Sequence, residues 1–193
     1  MIPLQDNSAL TLTAPLAAES AASLRSGQTV LISGVLVAAR DVAHKRLQEM
    51  AEKGQTWPFD PKGQVIYYVG PSPARPGRVV GAAGPTTAGR MDAMTGIMLE
   101  KGVLGFLGKG RRSEEVLKQF VAHKAVYLAA VGGAGAYYGH LIKEAKVLAW
   151  PELGPEALML LQVADFPATV VFDSLGNDLY VSGPREYRLN LAE

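Results

Sequence analysis

Five residues in three short stretches have the types and settings to hold a small anion. Arg40 closes "SGVLVAARD" (33–41), Thr86, Thr87 and Arg90 lie in "GPTTAGRMD" (84–92), and Lys109 stands between two glycines in "GKGRRS" (108–113). Each stretch leads into a predicted helix, whose unpaired N–H groups and partial positive charge favour carboxylate or phosphate. Arginine adds a rigid fork that grips both oxygens of a carboxylate at once, lysine a mobile point charge, and threonine a hydroxyl. Three such cations meeting in one hollow suit a small dianion. Taken singly, each residue also has an ordinary use. Arg40 can bridge a surface acid, Thr86 and Thr87 can cap a helix, Arg90 can be a solvated helix residue, and Lys109 can occupy a tight turn. Glycines on both sides of Lys109 cost chain entropy unless the backbone there needs unusual angles or close approach.

Other chemistries fit less well. The chain has no cysteine, which excludes disulfides, thiolate zinc sites, cysteine nucleophiles and thiolate-held iron–sulfur clusters within it. His44, His123 and His140 have no partner at metal-ligand spacing and read as surface or core-edge residues, so no metal ligand is assigned to this chain. A phosphate-binding loop needs glycine five positions before the Gly108 and Lys109 pair, where Val103 stands, and Ser or Thr after it, where Gly110 stands. "VGGAGAYYG" (131–139) offers bare backbone, but Gly133, Gly135 and Gly139 run one residue too long for a dinucleotide fingerprint. Glu152 lies near the distance expected of a ribose-binding acid. The alternative use of these glycines is a strand end packed closely against a helix.

Short apolar runs that stop at glycine supply the elements to position these residues. They are "TVLISG" (29–34), "QVIYYVG" (64–70), "RVVGAAG" (78–84), "GVLGFLG" (102–108), "AVYLAAVGG" (125–133) and "ATVVFDSLGN" (168–177), and they read as buried strands. "RDVAHKRLQEMAEKG" (40–54) predicts a helix with Ala43, Leu47 and Met50 on one face, an Asp41 and Lys45 pair, and an end at Gly54. Ser113 should cap a second helix, and a third should run from about Thr87 toward Glu100. Residues 165–181 suggest a hairpin turning at Gly176 and Asn177. Strands alternating with helices make this an α/β chain with a mixed sheet.

With 193 residues, 48% of them hydrophobic and 19% charged, the chain is expected to fold as one domain over 1–193. Nineteen Lys and Arg against eighteen Asp and Glu leave a formal charge of +1, too little field to gather nucleic acid or an anionic membrane. The N-terminus lacks a basic start followed by an apolar core, and no apolar run approaches the roughly 18 residues a membrane span needs, so a cytoplasmic protein is expected.

In order along the chain, "SGVLVAARDVAHKR", "GPTTAGRMD", "GKG", "AVYLAAVGGAGA" and "ELGPEAL…DFPATVVFDSLGNDLY" resemble the β subunit, or C-terminal domain, of class I fumarase. The β subunit of tartrate dehydratase is a related match. The resemblance implies a swivelling β/β/α domain that partners an α subunit, whose cysteines hold a four-iron, four-sulfur cluster. It implies that Arg40, Arg90 and Lys109 contact the carboxylates of malate or fumarate, with Thr86 and Thr87 also among the substrate-binding residues. Thr86 would sit at the carbon that gains or loses a proton. This chain carries Ala38 and Ala39 where that pattern has a hydroxyl and a glycine before the arginine. A dicarboxylate- or nucleotide-binding module without a catalytic partner is the reading from a different class.

Overall fold

The computed structural model describes residues 9–189. Seven strands, β1 (Leu10–Ala14), β2 (Thr29–Ala38), β3 (Val65–Tyr67), β4 (Gly105–Gly108), β5 (Val126–Ala129), β6 (Ile142–Ala149) and β7 (Leu158–Phe172), form one mixed sheet. The helices are α1 (Ala18–Ser23), α2 (Asp41–Glu52), α3 (Asp92–Glu100), α4 (Glu114–Ala122), α5 (Gly135–Leu141) and α6 (Leu179–Leu189), with 3₁₀ turns at Ala88–Met91 and Pro151–Glu156.

Strands β1 to β5 pair in parallel, each with the next, and β7 runs antiparallel to both β5 and β6. β7 also pairs along nearly the whole of β2, from Thr29 with Thr169 to Ala38 with Met159. That second pairing closes β2, β3, β4, β5 and β7 into a barrel-like ring, leaving β1 and β6 as flaps at its seam. β2 can serve three neighbours because it bends: its register with β7 shifts between Ile32 and Gly34, and Gly34 has φ +109. A Cβ at Gly34 would overlap the Ala14 carbonyl oxygen, so only glycine lets β1 come this close.

The period of two along each strand divides the apolar residues between two cores. Val65, Tyr67, Leu107, Val126, Leu128, Leu161 and Phe166 fill the ring. Ile66, Tyr68, Phe106 and Tyr127 point outward and are covered by Leu47 of α2, Met98 of α3 and Phe120 of α4. Both faces of β3, β4 and β5 are therefore dry, which is why their sequences read as unbroken apolar runs. The α/β class and mixed sheet expected from the sequence are those observed.

Two expected elements differ. Residues 78–84 form no strand, because both edges of β3 are already occupied by β2 and β4; residues 68–87 instead make a long excursion. The expected hairpin after residue 165 is one long strand followed by a turn. Gly176 has φ +91, and the Asp173 carboxylate accepts N–H bonds from Ser26, Leu175 and Asn177. A single bridge joins Phe172 to Asp178 before the chain enters α6. β1 and β6, short or mostly exposed, were not legible as strands.

One buried cation ties the outer core together. Arg112 donates to Asp92 (2.5 Å), to Thr95 Oγ1 (2.6 Å) and to the Tyr68 hydroxyl (3.2 Å). Its guanidinium carbon lies 5.4 Å from the ring centres of Tyr68, Phe120 and Tyr127, so π-faces complete its surroundings. Asp92 takes the Ser113 N–H as well (2.7 Å), joining the starts of α3 and α4. Removing one side of a buried pair typically costs about 3–5 kcal/mol. Arg112→Ala is expected to lower unfolding stability by about that much in urea titration, and a loss below about 1 kcal/mol would show that the cluster does not hold the helices.

Candidate functional site

The five residues singled out in the sequence all lie at one edge of the sheet, beyond the carboxyl ends of β2, β3 and β4. In open parallel sheets this is where ligands gather, because loops and helix starts converge there. Ala38, Tyr67 and Leu107 stand side by side in register. Arg40 and Lys109 each follow that level by two residues, two strands apart, so their backbones are separated by roughly 10 Å at the usual strand spacing. The intervening place is filled by the returning excursion. Thr86 N–H donates to the Tyr68 carbonyl (2.7 Å), Lys109 N–H to the Thr86 carbonyl (3.2 Å), and Ala88 N–H to the Lys109 carbonyl (2.9 Å). Thr86 is half-buried and Thr87 exposed beside Lys109, and the 3₁₀ turn that follows carries Arg90 toward α2.

The two arginines meet on one carboxylate. Arg90 Nη2 donates to Asp41 Oδ2 (2.8 Å), and Arg40 Nε lies 3.8 Å from the same oxygen. Arg40 Nη2 also reaches Glu156 (3.3 Å), and its guanidinium rests on Gly70, where a Cβ would come within 2.6 Å of Nη1. Lys109 forms no ion pair among the described residues; its Nζ would lie 3.6 Å from a Cβ on Gly132. Both reasons for flanking glycines hold here. Gly110 has φ +82, and a Cβ on Gly108 would press on the Tyr68 ring at 2.7 Å.

The family model described as "Fumarase C-terminus" matches residues 3–183. The chain belongs to the fumarase C-terminus family. It is 41% identical over 156 residues to "Fumarate hydratase 2" of Leishmania major, covering 80% of this chain, and 38% identical over 151 residues to "Fumarate hydratase class I, anaerobic" of Escherichia coli K12, covering 77%. It spans only 28% of the length of either relative. It is also 36% identical over 163 residues to "Putative L(+)-tartrate dehydratase subunit beta" of Methanocaldococcus jannaschii, covering 81% of this chain and 84% of that one.

In this fumarase C-terminal chain the helix starts contribute less than the sequence suggested. Arg40 and Thr87 occupy cap positions without any side-chain capping bond. The chain's own acids take the free N–H groups: Glu156 accepts from Val42 (3.3 Å) and Asp92 from Ser113. Only Ser113 caps as expected, accepting from Val116 N–H. What faces outward is a set of side-chain cations, held by acids that spacing did not reveal. Asp41, expected to pair with Lys45, instead bridges the arginines, and no ion pair joins it to Lys45 among the described residues. Glu152 is held by Arg46 (2.5 Å) rather than poised for a ribose. Of the glycines in 131–139, Gly135 and Gly139 do serve close packing, but against the excursion: a Cβ on Gly139 would overlap the Gly81 carbonyl oxygen.

His44 is fully buried on the α2 face with Ala43 and Leu47, not at the core edge; His123 and His140 are exposed. Its Nδ1 lies 2.9 Å from the Arg40 carbonyl oxygen and therefore carries the proton, bracing the backbone of that arginine. Its Nε2 is buried without a partner, 5.4 Å separating its ring from that of Tyr68. Desolvation lowers its pKa from 6.5 to about 4, against the opposing pull of the Arg40 carbonyl. Between those values the unfolded chain binds the proton and the folded chain does not, so stability is complete above pH 6.5 and falls as the pH drops toward 4. The wild type is expected to lose about 2–3 kcal/mol more than His44→Asn between pH 7 and about pH 4.5 in urea unfolding. Equal losses would mean that the ring is protonated in the native state.

Proposed function

We propose that this chain is the β subunit of a hydro-lyase that interconverts (S)-malate and fumarate, supplying carboxylate-binding cations to a site shared with an α subunit. The observation that carries the reading is the joining of Arg40 and Arg90 through Asp41, with Lys109, which forms no ion pair among the described residues, across the same edge. Family membership supports it, as do the names of the relatives. Arg40, Arg90 and Lys109 bind the substrate carboxylates, and Thr87 adds a hydroxyl at the rim.

Removing a proton from the carbon beside a carboxylate loads negative charge onto that carboxylate. Fixed cations there stabilise the transition state more than the ground state, because the charge they face is still growing. Asp41 and Glu156 hold the two forks in place without neutralising Lys109, so one full charge remains for the substrate. Thr86 sits next to the carbon that exchanges its proton. An alcohol is a poor base at neutral pH, so this role for Thr86 requires cations close enough to its hydroxyl to stabilise the alkoxide.

The residues of this chain do not fit an iron–sulfur cluster. It has no cysteine, and no group of three or more His, Cys, Asp or Glu among the described residues could hold a metal ion. The four-iron, four-sulfur cluster of the proposed enzyme is therefore assigned to the α subunit. In this reading the chain works in the cytoplasm as part of a hetero-oligomer; no helix among the described residues is long and apolar enough to cross a membrane.

Combined anaerobically with its cluster-bearing partner, the chain should catalyse malate–fumarate interconversion. Arg90→Ala should lower kcat/KM by about 10² to 10³ and Thr86→Val by at least about tenfold. Undiminished turnover by Arg90→Ala would remove the site assignment. The 36% identity to a tartrate dehydratase subunit favours L(+)-tartrate as the second reading. Assaying malate and tartrate on the same assembled enzyme separates the two, as the preferred substrate has the higher kcat/KM.

A further inference from the structure

We infer that a second anion site, built for a phosphate dianion, lies on the excursion between residues 71 and 82, apart from the Arg40, Arg90 and Lys109 edge. The sequence "ARPGR" (74–78) sets it up. Pro76 and Gly77 hold the two central places of a tight turn, Gly77 has φ +76, and Arg78 N–H donates to the Arg75 carbonyl (3.0 Å). Such a turn brings its first and fourth residues together, and here both are arginines. No carboxylate of the described residues lies within 4 Å of either guanidinium. Two exposed like charges carried on the ends of one turn repel each other unless an anion joins them.

The turn overhangs a cavity of about 300 Å³ lined by Ser72, Arg75, Arg78, Gly81, Ala82 and His140. Its base is fixed by three bonds between strand-like segments: Ser72 N–H to the Ala82 carbonyl (2.9 Å), Gly81 N–H to the Ser72 carbonyl (2.9 Å), and Ala82 N–H to Ser72 Oγ (2.8 Å). Ser72 Oγ is thus an acceptor from the backbone, leaving its own hydroxyl proton for a ligand. Arg78 Nη1 lies 2.6 Å from His140 Nδ1. A guanidinium cannot accept a hydrogen bond, so Nδ1 is the acceptor. That contact orients Arg78 while leaving its charge uncompensated, and Lys143, its Nζ 3.3 Å from the His140 carbonyl oxygen, adds another cation nearby.

Two guanidinium forks and a hydroxyl lining one cavity offer more donors than the two coplanar oxygens of a carboxylate need, since one fork already satisfies those, and match the four oxygens of a tetrahedral phosphate better. The ligand is inorganic phosphate or a phosphate monoester. The excursion carries Gly70, on which Arg40 rests, near its start and Thr86 near its return, so an anion here steadies both margins of the first site.

The test is titration of the 193-residue chain with inorganic phosphate and, separately, glycerol phosphate, followed by amide NMR shifts. Saturable shifts at Ser72, Arg75, Arg78 and Ala82 are expected. The double variant Arg75→Gln, Arg78→Gln, both exposed and outside the cores, should bind at least tenfold more weakly at an unchanged Tm, whereas Arg90→Ala should stay within twofold of wild type. Tighter binding of the ester identifies a phosphate monoester as the ligand, and tighter binding of phosphate the free ion. No saturable shift at those amides, equal affinity in the double variant, or loss of binding in Arg90→Ala would each overturn the proposal. None of these readouts uses turnover, so the outcome is independent of whether the chain serves malate.

Discussion

The double pairing of β7 is the constraint on which the rest depends. By running antiparallel to β5 on one side and to β2 on the other, it turns a parallel sheet into a closed ring and leaves little edge on the central strands. With the ring shut, one set of side chains fills its interior and the opposite set must be covered by α2, α3 and α4. The helices that cover the outside start just past the carboxyl ends of β2, β3 and β4, and the loops that lead into them carry every candidate site residue. Chemistry and core are thus two consequences of one hydrogen-bonding pattern.

Charge in this molecule is arranged in three tiers. Arg112 is sealed among four aromatic rings and paired with Asp92, so its role is to fix α3 against α4. Arg40, about 24% exposed, and Arg90, about 47% exposed, are intermediate: held by Asp41 and Glu156, yet with donors to spare, since a guanidinium has five and each uses few. Lys109, Arg75 and Arg78 meet no acid within 4 Å among the described residues and are the cations most available to a ligand. A net charge of +1 hides this ordering, because the sum is blind to which charges are spent internally.

The local devices were the legible ones. Ser113 caps α4 because its hydroxyl competes for free N–H groups wherever a helix begins, and the strand runs ending at Gly70, Gly108 and Gly132 could be read because β-branched and aromatic residues on both faces leave no polar alternation. The failures were long-range. Residues 78–84 are apolar and glycine-bounded like the true strands, but a strand needs an open neighbouring edge, and β3 has none left. Asp41 looked committed to Lys45 four residues on; it instead pairs with Arg90, 49 positions away, a partner that no helical spacing points to.

The sequence alone determined which residue types stood at glycine-marked strand ends, that no thiolate chemistry could occur in this chain, and which family pattern its motifs follow. These rest on identity and short spacing, which the chain carries regardless of how it folds. Only the tertiary structure decided that Arg40 and Arg90 share a carboxylate, that Thr86 lies beside Lys109, that His44 is buried beneath Arg40, and that two arginines of a tight turn face a cavity without an acid. The contacts of Asp41 with Arg90 and of Thr86 with Lys109 join segments far apart in the chain, as does the cavity that the turn shares with His140. Their closeness is set by strand order and ring closure, which a linear pattern of apolar and polar residues does not encode.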